Sequence, residues 1–239
     1  MNIPHAEHTK VWLVSRLALA AGLLALTGLG EIACAADKSS DKPVKAVAKS
    51  ASSSTNVAWR SLFDGKTLAG WKSTDFAGRG EVNVKNGTIV LETGQMTGIT
   101  WTNDLPRMNY ELSLEAMRVE GSDFFCGLTF PVAKDPCSLI VGGWGGGVVG
   151  LSNLDSQDAA NNETTKYMSF KTGQWYLIRL RVTEEKIEAW IDSDKMVDAD
   201  IKDRTISIRL EVEESKPLGI ASWSTTAALR NIKIRQLPK

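Results

Sequence analysis

The chain has 239 residues, and its 28 lysines and arginines balance its 28 aspartates and glutamates, so it has no net charge at neutral pH. A neutral chain has no general attraction to nucleic acid or to an anionic membrane surface, and we expect neither as a partner.

The N-terminus predicts an export signal over residues 1–35. Two basic residues flank the start of an apolar stretch, residues 17–30, that is too short to span a bilayer comfortably, and Ala33-Cys34-Ala35 supplies the small residues of a cleavage site. We therefore expect a periplasmic or extracellular protein with no membrane span. The alternative is a lipid anchor at Cys34, although Glu31 stands where such sites usually carry leucine.

Removal of this signal would also remove both histidines, His5 and His8, and leave no imidazole. Without imidazole, Ser-His-Asp and Cys-His catalytic arrangements and histidine-containing zinc sites are excluded. Residues 36–58 are rich in Ser, Ala and Lys and lack aromatic residues, which predicts a flexible linker. Residues 59–239 then have the length of one domain with one core.

Alternating apolar and polar residues predict strands through nearly all of this domain. The clearest predicted strands are residues 81–85, 88–92, 109–117, 175–182, 186–191, 205–212 and 230–237. Asn86-Gly87 is typical of a tight hairpin, and Thr183-Glu184-Glu185 links two further strands. In the 109–117 strand, alternate residues from Tyr110 to Ala116 share an apolar face. The pattern indicates an all-β, antiparallel two-sheet sandwich.

Cys126 and Cys137 flank a predicted loop, residues 131–135. Pairing the strands around this loop places the two cysteines almost opposite each other. In an exported protein such a pair predicts a disulfide more readily than a metal site or a nucleophile. A disulfide requires Cα atoms within about 7 Å, which sequence alone does not guarantee.

Several segments stand in a characteristic order along the domain: WRSLFDGKTLAGWKS (59–73), VKNGTIVL (84–91), NYELSLE (109–115), TGQWYLIRLRV (172–182), LGIASW (218–223) and LRNIKIRQL (229–237). Together they resemble the 3-keto-disaccharide hydrolase domain family of the concanavalin A-like lectin and glucanase superfamily. The resemblance implies a jelly-roll sandwich, export, and hydrolysis of glycosides oxidised to a ketone at carbon 3. Three polar positions of the family's pocket differ here; Pro131, for example, stands where an arginine is usual.

Glu115 and Asp123 are the predicted catalytic acid and base. A ketone at carbon 3 acidifies the hydrogen at carbon 2, so one base can abstract it, the aglycone leaves by elimination, and water adds afterwards. Asp123 could approach Glu115 across the short connection through Gly121. The alternative is that both are solvated strand and turn residues. Glu111 shares the face of Glu115 but lies four residues away, about 13 Å along a strand, and is assigned to sugar binding instead.

Trp144 lies within the glycine-rich stretch VGGWGGGVVGL, residues 141–151. Glycines permit unusual backbone angles and close approach of a ligand, and an indole ring can stack on the CH face of a sugar. Trp144 is therefore either a sugar platform or a ring that fills the space the glycines leave. We predict Trp190, Trp223 and Arg179 as further sugar contacts, and for Arg179 the alternative is an ordinary surface charge.

Asp155 and Asp158, in the polar segment 154–164, offer hard oxygen ligands for Ca²⁺, but their spacing matches no established calcium loop. A plain exposed loop is the alternative, and the sequence requires no cofactor. Three functions stay open: a hydrolase or lyase of 3-keto glycosides, a non-catalytic glycan-binding module, and a protein-interaction module of the cell envelope.

Overall fold

A computed structural model describes residues 57–238. The predicted signal segment with Cys34, and all but the last two residues of the predicted linker, lie outside the described residues. Residues 57–238 form strands and one short 3₁₀ helix, and contain no helix long and apolar enough to cross a membrane.

The elements follow in chain order: β1 (Arg60–Ser61), β2 (Trp71–Ser73), β3 (Val82–Lys85), β4 (Thr88–Leu91), β5 (Met96–Trp101), β6 (Tyr110–Gly121), β7 (Cys126–Val132), β8 (Asp135–Gly143), β9 (Val148–Ser152), β10 (Lys166–Tyr167), β11 (Trp175–Val182), β12 (Lys186–Ile191), β13 (Asp194–Asp200), the 3₁₀ helix η1 (Leu210–Ser215), β14 (Gly219–Trp223) and β15 (Thr225–Gln236).

The strands form two antiparallel sheets. The first sheet has the order β13-β12-β11-β6-β15-β4-β3, with β1 also paired to β15. The second sheet has the order β10-β9-β8-β7-β14-β5-β2. Neighbours within each sheet are often distant in the chain, so the strands cross repeatedly between the two layers. This architecture confirms the predicted all-β jelly-roll sandwich.

The core lies between the sheets and is built from alternate residues of each strand. On β6 the side chains of Tyr110, Leu112, Leu114 and Ala116 are at most 1% exposed, which confirms their predicted shared face. Leucine and phenylalanine side chains of β7 and β8 fill the opposing layer. The phenol of Tyr110 donates a hydrogen bond of 2.7 Å to the carbonyl of Pro131 and so ties the first sheet to the second.

Six of the seven predicted strand segments lie largely in strands, but the predicted strand 205–212 is wrong. Apart from a hydrogen bond within the segment itself, from the Val212 amide to the Arg209 carbonyl, its backbone hydrogen bonds are with residues 153–155, and it then enters η1. Its alternation reflects an extended chain lying across the outer face of the second sheet: Val212 is buried, whereas Leu210 is 86% exposed. An extended segment that packs on a sheet buries every second side chain, as a strand does, although it does not pair with neighbouring strands.

The predicted disulfide is also wrong. Strands β7 and β8 continue to a turn at Ala133-Lys134, and this register places Cys126 opposite Val141 and Cys137 opposite Phe130. The cysteines are therefore displaced by four positions, about 13 Å along a strand, well beyond the reach of a disulfide. Both thiols are free and buried, and burial raises the pKa of each to about 12.

Candidate functional site

A cavity of about 250 Å³ lies on the outer face of the second sheet. It forms there because residues that alternate with the core positions of the sheet point outward: Ser138 and Ile140 on β8 alternate with the buried core residues Cys137 and Leu139. The lining consists of Met96, Asp123, Phe124, Ser138, Ile140, Trp144, Ser152, Arg209, Glu211, Val212 and Trp223.

Two small apolar clusters outside the main core flank this cavity. One contains Met96 and Val212 with Trp223 packed against it, and the other is built around Ile140. Phe124 packs against both clusters. The outer face of the second sheet is therefore apolar beneath the cavity, as the surface of a ligand pocket commonly is.

Trp144 lies at the tip of the turn that joins β8 to β9. Gly146 and Gly147 donate backbone hydrogen bonds of 3.1 Å each to the carbonyl of Gly143, which closes the turn. Trp144 itself has φ +49° and is 45% exposed at the cavity. Nearly half of the Trp144 side chain is therefore exposed at the cavity, and its role as a sugar platform stays a prediction.

The buried guanidinium of Arg118, on β6, lies beneath the Trp144 turn. Its Nη2 donates to the carbonyls of Asp123, Gly142 and Gly146 at 3.1, 3.2 and 3.0 Å. A Cβ at Gly142 would lie 2.7 Å from this Nη2, so the space that Gly142 leaves is taken by Arg118. The sequence analysis missed Arg118 because a single arginine in a strand is usually a surface residue. The one indication was its position, which continues the buried alternation of β6.

Asp123 follows β6 and lies beside the Trp144 turn. Its Oδ1 accepts a 2.7 Å hydrogen bond from the Phe124 amide, and its Oδ2 accepts a 3.3 Å hydrogen bond from the Gly145 amide. No lysine or arginine within residues 57–238 forms a salt bridge with this carboxylate. Asp123 is therefore held in place by backbone amides and has oxygen lone pairs available to a ligand.

Arg209, which immediately precedes η1, and Glu211, in the first turn of η1, both line the cavity. Arg209 contacts Glu211 at 2.8 Å and Asp158 at 3.3 Å. The hydrogen bond from Arg209 lowers the pKa of Glu211, which keeps that carboxylate ionised at neutral pH. Sequence reasoning missed both residues because it placed them in a strand, where their charges indicated only a solvated face.

The predicted pair of Glu115 and Asp123 is not formed. Glu115 lies on the outer face of the first sheet, where Arg230 donates to it at 2.8 and 2.6 Å and Asn231 at 2.6 Å. Burial raises the pKa of Glu115, but these hydrogen bonds outweigh the burial, so the pKa lies below its ordinary value. The two acids separate because the chain crosses to the second sheet immediately after β6, and Asp123 alone reaches the cavity.

Three further predicted sugar contacts also lie on the first sheet. The guanidinium of Arg179 stacks on the ring of Trp190 at 4.9 Å. Glu111, which is nearly buried, accepts hydrogen bonds from Arg181 at 2.6 Å and from Arg235 at 2.5 Å. These side chains are partners of one another on the surface of the sheet and do not line the cavity. Of the predicted sugar contacts, Trp144 and Trp223 do line it.

The predicted calcium ligands are engaged by the protein. Asp155 contacts Arg204 at 2.6 Å and accepts a 2.8 Å hydrogen bond from the Thr205 amide, while Asp158 accepts hydrogen bonds from the Ala160 amide and from Arg209. Within residues 57–238 no three acidic, histidine or cysteine side chains come together in a group suited to a metal ion. Calcium binding at Asp155 and Asp158 stays a prediction.

The sequence profile of the 3-keto-alpha-glucoside-1,2-lyase-like domain matches residues 58–235. The chain belongs to this family. No curated protein matches the sequence at a significant level. The lyase-like domain thus spans almost all of the described structure, including every residue of the cavity lining.

Solved structures share the fold of this lyase-like domain. A presumed glycosyl hydrolase from Parabacteroides distasonis is 14% identical, with a TM-score of 0.50 over 75% of this chain and 94% of that chain. A Crh5 transglycosylase in complex with NAG is 12% identical, with a TM-score of 0.53 over 76% of this chain and 84% of that chain. Carbohydrate-binding module CBM66 from Bacillus subtilis is 12% identical, with a TM-score of 0.48, and the match covers 70% and 96% of the two chains.

Proposed function

We propose that the protein is exported and cleaves glycosides that carry a ketone at carbon 3, by elimination followed by hydration. The observation that carries this proposal is the common cavity of Asp123, Arg209 and Glu211 with two tryptophans, Trp144 and Trp223. Membership of a family named for a 3-keto-glucoside lyase supports the choice of sugar chemistry. Two acids and one arginine in a tryptophan-walled cavity supply the groups that this chemistry needs.

In this mechanism Asp123 is the base. It removes the proton from carbon 2, and the electron pair of the broken C–H bond forms the C1=C2 double bond as the bond from carbon 1 to the aglycone oxygen breaks. The ketone at carbon 3 accepts negative charge as the proton leaves, and Arg209 is the cation in the lining that can hold that oxygen. Water then adds across the double bond and gives the 3-keto sugar, while the aglycone leaves with a proton from solvent.

The remaining groups position the sugar. Trp144 is exposed at the cavity and can stack on one face of the ring. Glu211 fixes the direction of the Arg209 guanidinium through their 2.8 Å contact. The hydrogen bond from Arg209 lowers the pKa of Glu211 and makes it the weaker base, so Glu211 is assigned an orienting role. The base role falls to Asp123, whose carboxylate forms no salt bridge within residues 57–238.

The test is release of 3-keto-glucose from 3-keto-trehalose by the purified protein, followed by mass spectrometry. Asp123→Asn is expected to lower kcat by about 10²-fold or more, the usual contribution of a general base. Glu115→Gln is the matched control, because it neutralises an acid on the opposite sheet, and it is expected to retain activity. Loss of activity in the control but not in Asp123→Asn would overturn the assignment.

Export is tested separately, by the intact mass of the protein recovered from the periplasmic fraction or the medium. The expected mass is that of a chain cleaved near Ala35.

Non-catalytic glycan binding is the second candidate. It is favoured by the exposure of Trp144 at the cavity, where the indole ring can stack on a sugar. The expected result is then quenching of tryptophan fluorescence by sugars without product, and abolition of that quenching in Trp144→Ala. Product formation by the wild-type protein would exclude binding as the sole function.

A further inference from the structure

The floor of the cavity is apolar. Met96, Ile140 and Val212 are each less than 9% exposed, although they lie outside the main core of the sandwich. Phe124 and Trp223 add two rings, with centroids 6.5 Å apart and planes inclined by 37°. The inner surface therefore consists of aliphatic, thioether and aromatic groups.

The polar groups of the floor are already paired within the protein. The hydroxyl of Ser138 is 2.8 Å from that of Thr129, and the hydroxyl of Ser152 donates to Asn153 at 2.9 Å. A sugar unit carries hydroxyls around its whole ring, and each one buried without a partner costs free energy. The floor is therefore poorly suited to a second sugar unit.

Two of the three charged groups in the lining, Arg209 and Glu211, lie toward solvent, whereas Asp123 is partly buried. The side chains of Arg209 and Glu211 are 45% and 47% exposed, and Trp144 is also 45% exposed. In a glycoside bound as proposed, the 3-keto sugar contacts this charged and aromatic mouth. The group attached to carbon 1 then points to the apolar floor.

The size of the cavity limits what that group can be. An apolar protein cavity of roughly 150 Å³ takes up benzene. The cavity here has about 250 Å³, which leaves room for a single substituted aromatic ring and part of the sugar. It lies just below the roughly 300–1,000 Å³ that holds larger organic ligands.

We propose that the site prefers 3-keto glycosides whose aglycone is a single aromatic ring over 3-keto disaccharides. This inference rests on the proposed function and names its substrate class. The aromatic ring contacts Phe124, Trp223 and Met96, and the sugar lies between Trp144 and Arg209.

The leaving group is consistent with this choice. Elimination breaks the bond from carbon 1 to oxygen, and the oxygen leaves with the electron pair of that bond and takes a proton from water. Glu211 is held ionised by Arg209 and is no proton donor at neutral pH. A phenol, with a pKa of about 10, leaves with less help from an acid than the hydroxyl of a sugar does.

The test compares phenyl 3-keto-glucoside, benzyl 3-keto-glucoside and 3-keto-trehalose as substrates of the full-length protein. The benzyl compound separates the two effects, because it has an aromatic ring but an alcohol leaving group. We expect kcat/KM for the benzyl compound to exceed that for 3-keto-trehalose about tenfold or more, within the range that apolar contacts in a pocket supply. Equal values for the two would overturn the inference while leaving the proposed function intact.

Variants of the floor test the same point. Met96→Gln is expected to lower kcat/KM for the benzyl compound about tenfold and to change 3-keto-trehalose little. Val212→Thr is a second floor variant in case Met96→Gln does not fold, and Met117→Gln, on β6 of the first sheet, is the matched control. A fall of equal size for both substrates would contradict the assignment of the floor to the aglycone.

If the protein shows no activity, calorimetry can measure the dissociation constants of benzyl 3-keto-glucoside and 3-keto-trehalose and so test the aromatic preference directly. Tighter binding of the benzyl compound without product would refute the catalytic proposal and retain the aromatic preference. Equal affinity without product would refute both.

Discussion

Replacement of Arg118 by methionine tests whether a buried guanidinium holds the candidate site together. Arg118 is 5% exposed, and its Nη2 donates to three carbonyls, two of which belong to the glycine-rich turn that carries Trp144. The guanidinium also stacks on the ring of Phe125 at 5.1 Å. Methionine retains much of the apolar stem but none of the donors.

The expected loss of stability follows from these contacts. Four carbonyls lose a donor, the three that accept from Nη2 and that of Phe170, which accepts from Nη1 at 3.5 Å. The net cost is about 1 kcal/mol for each normal bond and less for the long one. Part of that cost is offset because a buried guanidinium that no carboxylate contacts directly is itself costly to desolvate. We expect the free energy of unfolding to fall by about 2–3 kcal/mol, which corresponds to a Tm about 4–12 °C lower for a domain of this size.

Thermal unfolding followed by near-ultraviolet circular dichroism measures this change. Arg118→Lys, which keeps the charge but not the planar fork of donors, is expected to fall between wild type and Arg118→Met. Arg79→Met removes an exposed ion pair with Asp75 and is the control, expected to change stability by less than about 0.5 kcal/mol.

The fluorescence of Trp144, isolated by comparison with Trp144→Phe, reports whether the turn loosens. We expect a change in its emission and weaker sugar binding in Arg118→Met. An unchanged Tm together with unchanged Trp144 emission would refute the role of Arg118 in holding the turn.

Three further predictions concern backbone, thiols and pH. Gly142→Ala should destabilise the protein more than Gly145→Ala: both have φ near +80°, but only at Gly142 does a Cβ clash, and chemical denaturation measures the difference. Cys126 and Cys137 should resist a thiol reagent until the protein unfolds; loss of two hydrogens in the intact mass would instead reveal a disulfide. The pKa of Glu115 is depressed, so its ionised form stabilises the fold when the pH is above the ordinary glutamate pKa of 4.5, and this contribution is lost as the pH falls through the folded pKa. Between about pH 5 and pH 3, Glu115→Gln should therefore lose less free energy of unfolding than wild type in urea titrations.

The two candidate functions differ in what they require of Asp123. Catalysis requires its carboxylate, whereas binding by stacking requires mainly the ring of Trp144. Asp123→Asn removes the charge and keeps one of the two hydrogen bonds that Asp123 accepts from backbone amides, because the amide nitrogen of asparagine donates and cannot accept. Comparison of this variant with Trp144→Ala therefore separates the two functions within the same cavity.

The sequence determined the secondary structure where local periodicity carries the information. The alternation of apolar and polar residues in β6, β11 and β12 indicates which face of each strand is buried. Asn86-Gly87 predicts a hairpin, and the two residues have the positive φ values, 50° and 77°, that such a turn requires. The same periodicity failed for residues 205–212, because an extended segment lying on a sheet alternates as a strand does. That failure concealed Arg209 and Glu211.

Tertiary structure alone decided which residues meet. Glu115 and Asp123 are close in the chain but separate into different sheets, because the chain crosses between layers after β6. Arg209 is far from Asp123 in sequence, yet both line one cavity. A turn placed at Ala133-Lys134 moved two cysteines out of register. Local sequence specifies the faces of strands, whereas the order of strands, the register of their pairing and the path of the connecting segments depend on packing of the whole sandwich, and these determine the site.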